Sequence, residues 1–274
     1  MGRECKIGFI GCGNMGSAMV KGILSAGKVI PSELIVSKKT ANKTDELKAL
    51  GVTVISDNAE VAKKSDVIVL AVKPYQLDEV YGEIREHIKA DQIIVSIAAG
   101  VSVSCVEQAL MSMEVAGKIK VVRAMPNTPA QVGEAMTALS VNANITEEDE
   151  RLILSYFNSF GKAEIVPESL MDVVTGLSGS SPAFVYMFME AMADAAVAEG
   201  MTRSQAYKFV GQTLRGAATM LLETGKHPGE LKDAVCSPGG TTIEGVCTLE
   251  AAGFRAAVVD GVTASIEKSR EMSK

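Results

Sequence analysis

KIGFIG (6–11) is a β-rich apolar run that passes without a linker into GCGNMG (11–16), and helical periodicity follows over 14–26. Three glycines at that spacing, between a strand and a helix, leave few folding solutions. Gly11 permits a tight turn, Gly13 lets the backbone approach a bulky anion, and Gly16 allows the helix to lie close to the strand. The free N–H groups of the helix start then face that anion, and the helix dipole favours it. The spacing alone is a weak signal, but its strand–turn–helix setting makes it informative. A dinucleotide pyrophosphate is the expected occupant.

The same alternation continues along the chain. LIVS (34–37), VTVIS (52–56), DVIVLAV (66–72), IIVSIAA (93–99) and KVVRAM (120–125) read as strands, with helical stretches at 40–50, 58–64, 75–89 and 102–113 between them. The strands are near-continuous Val/Ile/Leu runs, as expected where both faces of a sheet are covered. This pattern predicts an α/β fold, a Rossmann-type doubly wound parallel sheet. AMTALSV (135–141) and AEIV (163–166) extend the sheet, with a helix over 147–160 whose start at Thr146 to Asp149 resembles a capping box.

After residue 167 the strand signal stops. Helices are predicted at 168–176, 182–199, 203–224, 228–234, 242–252 and 254–272. Pro182 suits a first turn, Gly200 a helix end, and Thr202 with Gln205 a capping box. The expected organisation is a dinucleotide-binding domain over 1–165 and an all-α domain over 166–274 for dimerisation and substrate binding. PAFVYMFMEAMADAAVAE (182–199) is apolar almost all round and needs partners on most sides. A second copy of the chain is the preferred partner, ahead of ordinary packing within the domain.

Composition excludes several function classes. With 33 acidic and 27 basic residues the formal net charge is −6, which argues against a phosphate-tracking surface and so against nucleic acid. Five scattered cysteines without a C-x-x-C pair fit reduced thiols in a cytoplasmic protein better than a disulfide framework. The start, MGRECK, is mixed in charge, and a glycine turn soon interrupts the apolar run, unlike a signal peptide. Ala183 to Ala198, the longest apolar stretch, carries Glu190 and Asp194, so no membrane span is expected. No residue is assigned to a metal.

Cofactor choice is read where the second strand ends. NAD-preferring sites usually place a carboxylate there for the ribose 2′-hydroxyl. This chain has Ser37-Lys38-Lys39 and no carboxylate before Asp45, so NADPH is expected, with NADH as the second choice. Ala71, Val72, Lys73 and Pro74 end the fourth strand, and Ala98, Ala99 and Gly100 the fifth, at the sheet edge where a dinucleotide crevice opens. In MPNTP (125–129) two prolines stiffen a loop near the nicotinamide, and Asn127 either contacts the cofactor amide or belongs to a plain turn.

A dinucleotide implies hydride transfer, and carbonyl reduction also needs a proton donor, usually His, Lys or Tyr. Of two histidines, His87 lies in an amphipathic surface helix and His227 in a turn before a short helix. No lysine occurs from Leu170 to Gly200, where β-hydroxyacid dehydrogenases keep their catalytic one. The shortage favours a substrate already carrying its proton, such as an imine. VCSPGGTTIEG (235–245) supplies a place for an acid: two glycines turn the chain into a helix, with Thr241 the expected N-cap and Glu244 closing a capping box. That helix start attracts a carboxylate, and Thr242 is placed to direct its hydroxyl at a substrate nitrogen. A Gly-rich interhelical turn is the plainer reading of the stretch taken alone.

GFIGCGNMG, AVKP, MPNTP, DVVTGLSGSSPAF and HPGELKDAVCSPGGTTIEG, in that order, resemble the pyrroline-5-carboxylate reductase family over essentially the whole chain. The resemblance implies NAD(P)H-dependent reduction of 1-pyrroline-5-carboxylate to L-proline by a homodimer, often assembled into a larger ring of dimers. It also implies that Asn14, Met15 and Asn58 join the residues above along the dinucleotide. Ser237, Gly239, Gly240, Thr241 and Thr242 would hold the substrate, with Thr242 on the ring nitrogen. Glu168 matches a position near the substrate, unless it is a surface helix cap. The family commonly has Gly where Ser181 stands and Tyr where Phe184 stands. Competing readings are another imine or β-hydroxyacid reductase of the superfamily, or a non-catalytic NADP(H)-binding regulator. The missing helix lysine opposes the hydroxyacid reading, and the intact SPGGTT opposes the regulator.

Overall fold

The computed structural model describes residues 5–38, 44–113, 115 and 117–272. Lys39 and the start of the predicted helix at 40–50 lie outside the described residues. The sheet contains β1 (Ile7–Ile10), β2 (Leu34–Ser37), β3 (Thr53–Ile55), β4 (Val67–Leu70), β5 (Ile93–Ser96), β6 (Lys120–Met125), β7 (Ala135–Val141) and β8 (Gly161–Ile165). Their spatial order is β3-β2-β1-β4-β5-β6-β7-β8. The chain builds outward from β1 to β3, then returns to the other side of β1, which makes the β1/β4 edge the topological switch point. In register, Phe9 lies beside Val36 on one side and Val69 on the other.

Helices α1 (Asn14–Ser25), α2 (Thr44–Ala49), α3 (Asn58–Lys64), α4 (Leu77–Ile84), α5 (Val103–Leu110) and α6 (Glu147–Phe157) follow the strands. Phe9 belongs to one apolar layer, with Met19, Val69 and Phe157, and its neighbour Ile10 to a second, with Ile68, Val80 and Ile84. Successive strand residues thus enter opposite cores, which is why the strands read as unbroken apolar runs. Each such fully buried side chain contributes about 1.5–3 kcal/mol.

One expectation needs correcting. β1, β2, β3, β4, β5 and β6 are parallel, but β7 pairs antiparallel with β6, and β8 runs parallel to β7. Residues 126–134 hold only a 3₁₀ turn (Thr128–Val132), and a parallel return needs a crossover of a dozen or more residues. At the start of α6, Thr146 and Asp149 form the capping box, and Lys120 of β6 pairs with Asp149 at 2.7 Å. Burial by itself would raise the Asp149 carboxyl, but Lys120 and Thr146 together hold it below its ordinary range.

Two compact units emerge: one runs to Ser180 and includes the residues from Ser265 on, and the other spans Ser181–Ala264. The predicted helix at 168–176 becomes a 3₁₀ turn (Glu168–Leu170), a short α7 (Met171–Val174) and a π-helical turn (Thr175–Gly179). Hydroxyls of Thr175 and Ser178 donate to the carbonyls of Met171 and Val174, bonds that suit a widened turn. The second unit contains α8 (Ser181–Ala198), α9 (Arg203–Thr224), α10 (Pro228–Val235), α11 (Thr241–Ala251) and the first part of α12 (Phe254–Met272). Its buried cluster is small, Ala193, Ala206 and Val210, while Tyr186, Met187, Phe209, Leu222 and Val259 are exposed. Among the described residues no helix is long and apolar enough to cross a membrane.

Candidate active site

A cleft of about 700 Å³ opens at the carboxyl ends of β1, β4 and β5 in the first unit. The glycine turn forms one of its edges. Gly11 has φ +76°, and a Cβ there would come within 2.5 Å of Val72 Cγ1 and 2.9 Å of the Ala71 carbonyl. Only glycine fits both constraints. A Cβ on Gly16 would lie 3.3 Å from Ala71 Cβ and from Cys12 Sγ, so α1 packs tightly here. A Cβ on Gly13 would meet nothing within 4 Å, which leaves open space in front of the turn. Gly13 is also the N-cap of α1, with no side-chain acceptor and no acidic residue in the first turn. Room, N–H donors and dipole therefore all suit a pyrophosphate. Asn14 and Met15 line the same edge. Cys12 is buried beneath the turn, and burial pushes its thiol up against the opposing pull of Ser17, Lys38 and Lys21.

Ser37, Lys38 and Asn58 line the cleft where β2 ends. The Ser37 hydroxyl is buried and donates to Asn58 Oδ1, so Lys38 is the described cation at this end. Ala71, Val72, Lys73, Pro74, Ala98 and Ala99 also line the cleft, as the strand ends predicted. Gly100 is not among the lining residues; with φ +76° it sits in the turn leading on to α5.

Asn127 is not among the lining residues either, and its amide has other work. Its Nδ2 donates to the Ser178 carbonyl and its Oδ1 accepts from the Met136 N–H, each at 3.0 Å. Both ends of its amide engage backbone, as the plainer turn role would have them do. Its neighbours Met125, Pro126 and Thr128 do line the cleft. Sequence reasoning missed Gln76, Glu79 and Val80, which reach the cleft from α4 and the turn before it. Their position directly after AVKP was the available signal.

Glu168 accepts from the Val103 N–H at 2.7 Å, at the start of α5, and from Arg123 Nη1 at 3.2 Å. Its carboxylate thus complements the α5 N-terminus, and Arg123 on β6 is compensated in a largely buried position.

In the second unit, Gly239 (φ +65°) reverses the chain and Gly240 caps α11. The predicted N-cap at Thr241 is therefore corrected. Thr241 is the first helical residue, Gly240 has no side chain to offer, and no capping box with Glu244 forms. A Cβ on Gly240 would meet Ser237 Oγ, which can rotate away, and would lie 3.2 Å from the Ser237 carbonyl oxygen. Thr241 and Thr242 are both exposed at a helix start whose amides have no side-chain cap. His227 caps α10, its Nδ1 accepting from the Gly229 N–H at 3.0 Å, and among the described residues no histidine lines the cleft. Among the described residues no group of His, Cys, Asp or Glu is arranged to hold a metal ion.

A doubly wound sheet with an open glycine cradle at its switch point, and a cation past its second strand, defines an NAD(P)H-dependent oxidoreductase. Residues 6–100 match a family model described as NADP oxidoreductase coenzyme F420-dependent, and residues 168–272 one described as pyrroline-5-carboxylate reductase dimerisation. With 49% identity over 99% of each chain to the pyrroline-5-carboxylate reductase of Escherichia coli (strain K12), this chain belongs to the pyrroline-5-carboxylate reductase family. It is also 48% identical to the Methanosarcina acetivorans pyrroline-5-carboxylate reductase, over 98% of each. The crystal structure of Plasmodium falciparum pyrroline carboxylate reductase with NADP bound superposes with a TM-score of 0.88, at 34% identity and full coverage of both chains.

Proposed function

We propose that this chain reduces the C=N bond of 1-pyrroline-5-carboxylate to give L-proline, the last step of proline biosynthesis. Bound NADPH supplies the hydride. The chain's own contribution is to hold and orient. Gly11, Gly13, Asn14, Met15 and Gly16 carry the pyrophosphate, and Lys38 carries the 2′-phosphate. Residues 71–74, Ala98 and Ala99 bound the rest of the dinucleotide, and 237–242 bind the substrate carboxylate through backbone amides. Thr242 directs its hydroxyl to the ring nitrogen, and Glu168 stands near the substrate. Residues 1–165 hold the dinucleotide, and residues 166–274 make the substrate and dimer contacts. The working form is a cytoplasmic homodimer, several of which close into a ring.

One observation supports this assignment most directly: α11, like α1, starts at a glycine with no side-chain cap. An uncapped helix start on the family's SPGGTT segment is an anion site, worth roughly 0.3–1 kcal/mol per contact when exposed and more when partly buried. The test is oxidation of NADPH by the purified protein with 1-pyrroline-5-carboxylate, repeated with NADH. Turnover with both, faster with NADPH, is expected; no oxidation with either would reject the reading.

A further inference from the structure

No carboxylate follows β2 in sequence before Asp45, yet the fold sets one, Glu83, against Asn58, which lines that end of the cleft. Asn58 is buried at the start of α3 and lines the cleft. Its Oδ1 accepts from Ser37, and its Nδ2 donates to Glu83 Oε2 of α4 at 2.5 Å. A carboxylate only accepts, so the amide nitrogen must face Glu83 and the oxygen Ser37. Glu83 stands one helical turn beyond Glu79, itself a lining residue, on the same face of α4. Lys38, directly after Ser37, brings the opposite charge to the same region.

We propose that Glu83 sets the cofactor preference of this chain. It fixes the Asn58 amide beside the adenosine ribose, and its negative charge opposes a 2′-phosphate, so nucleotides lacking that phosphate remain usable. The inference rests on reading the cleft as the dinucleotide site. Lys38 and Glu83 act on the same group with opposite sign, and their balance decides how far NADPH is favoured over NADH.

Adenosine fragments test this without any redox step. Calorimetric titrations with 2′,5′-ADP and 5′-AMP compare the wild type with Glu83→Gln, which keeps an acceptor oxygen for Asn58 and removes the charge. The variant should bind 2′,5′-ADP roughly three- to tenfold tighter and 5′-AMP within about twofold of wild type, with the gain shrinking at high salt. Glu86→Gln, which removes an exposed charge paired with Arg85, should leave both affinities unchanged. If Glu83→Gln fails to fold, Glu83→Ala is read by the same ratio of affinities. Equal weakening of both fragments would give Glu83 a purely structural role, and wild-type affinities would show that its charge does not reach the ligand. Either result overturns the proposal. A wild-type protein that binds neither fragment would remove the dinucleotide reading and the proposal with it.

Discussion

Thr242 is the residue on which the proposed chemistry can be tested most sharply. It is exposed in the first turn of α11, and a hydrogen bond to a charged ring nitrogen contributes about 1.5–3 kcal/mol. Thr242→Ala is therefore expected to lower turnover roughly ten- to hundredfold while NADPH affinity stays within about twofold. Steady-state kinetics with a cofactor titration checks both; unchanged turnover would take Thr242 out of the chemistry. Residue roles were legible in the sequence where backbone geometry alone decides them. Gly11, Gly13 and Gly16 have separate roles: a Cβ would collide with Val72 and Ala71 at the first, enter open space at the second and crowd Ala71 and Cys12 at the third. Roles that depend on a distant partner were hidden. Nothing near Asn127 in sequence announces Ser178, and nothing near Asn58 announces Glu83.

Between single residues and the whole chain lies the loop from β6 to β7, which lines the cleft while Asn127 ties it to the π-helical turn. Asn127→Ala would leave the Ser178 carbonyl and the Met136 N–H without this partner in a part-buried setting, two lost bonds that cost about 1–3 kcal/mol together. Denaturant unfolding should show that loss, while NADPH affinity changes by less than about twofold because the amide is committed elsewhere. The opposite result, lost affinity with unchanged stability, would return Asn127 to the cofactor. The elements themselves were well marked in sequence: buried strands as apolar runs, and helix starts by Thr146 and Thr202 as N-caps. The reversal of β7 and the π-helical turn were not. The first depends on the length and path of a connection, and the second on hydroxyl-to-carbonyl bonds that leave no periodic signature.

At the scale of the whole molecule, the 181–264 unit cannot account for its own stability. Its three fully buried apolar residues, two of them alanines, make a small core even with Met189, Met192, Ala196, Val197 and Leu214 packed partly buried against it. Its exposed Met187, Phe209, Leu222 and Val259 offer the surface for further burial. Unpartnered apolar area of this kind marks an interface, and the matched dimerisation model covers the same residues. Folding coupled to association makes the unfolding midpoint depend on protein concentration. Each tenfold rise in concentration stabilises a dimer by about 1.4 kcal/mol, so Tm should climb by roughly one to a few degrees per decade. Met187→Glu, with a charge on that face of α8, should lower Tm and shift the light-scattering mass toward the monomer. A Tm constant over a hundredfold dilution series, with a monomeric mass throughout, would mean that the helical unit is covered by something other than its own copy.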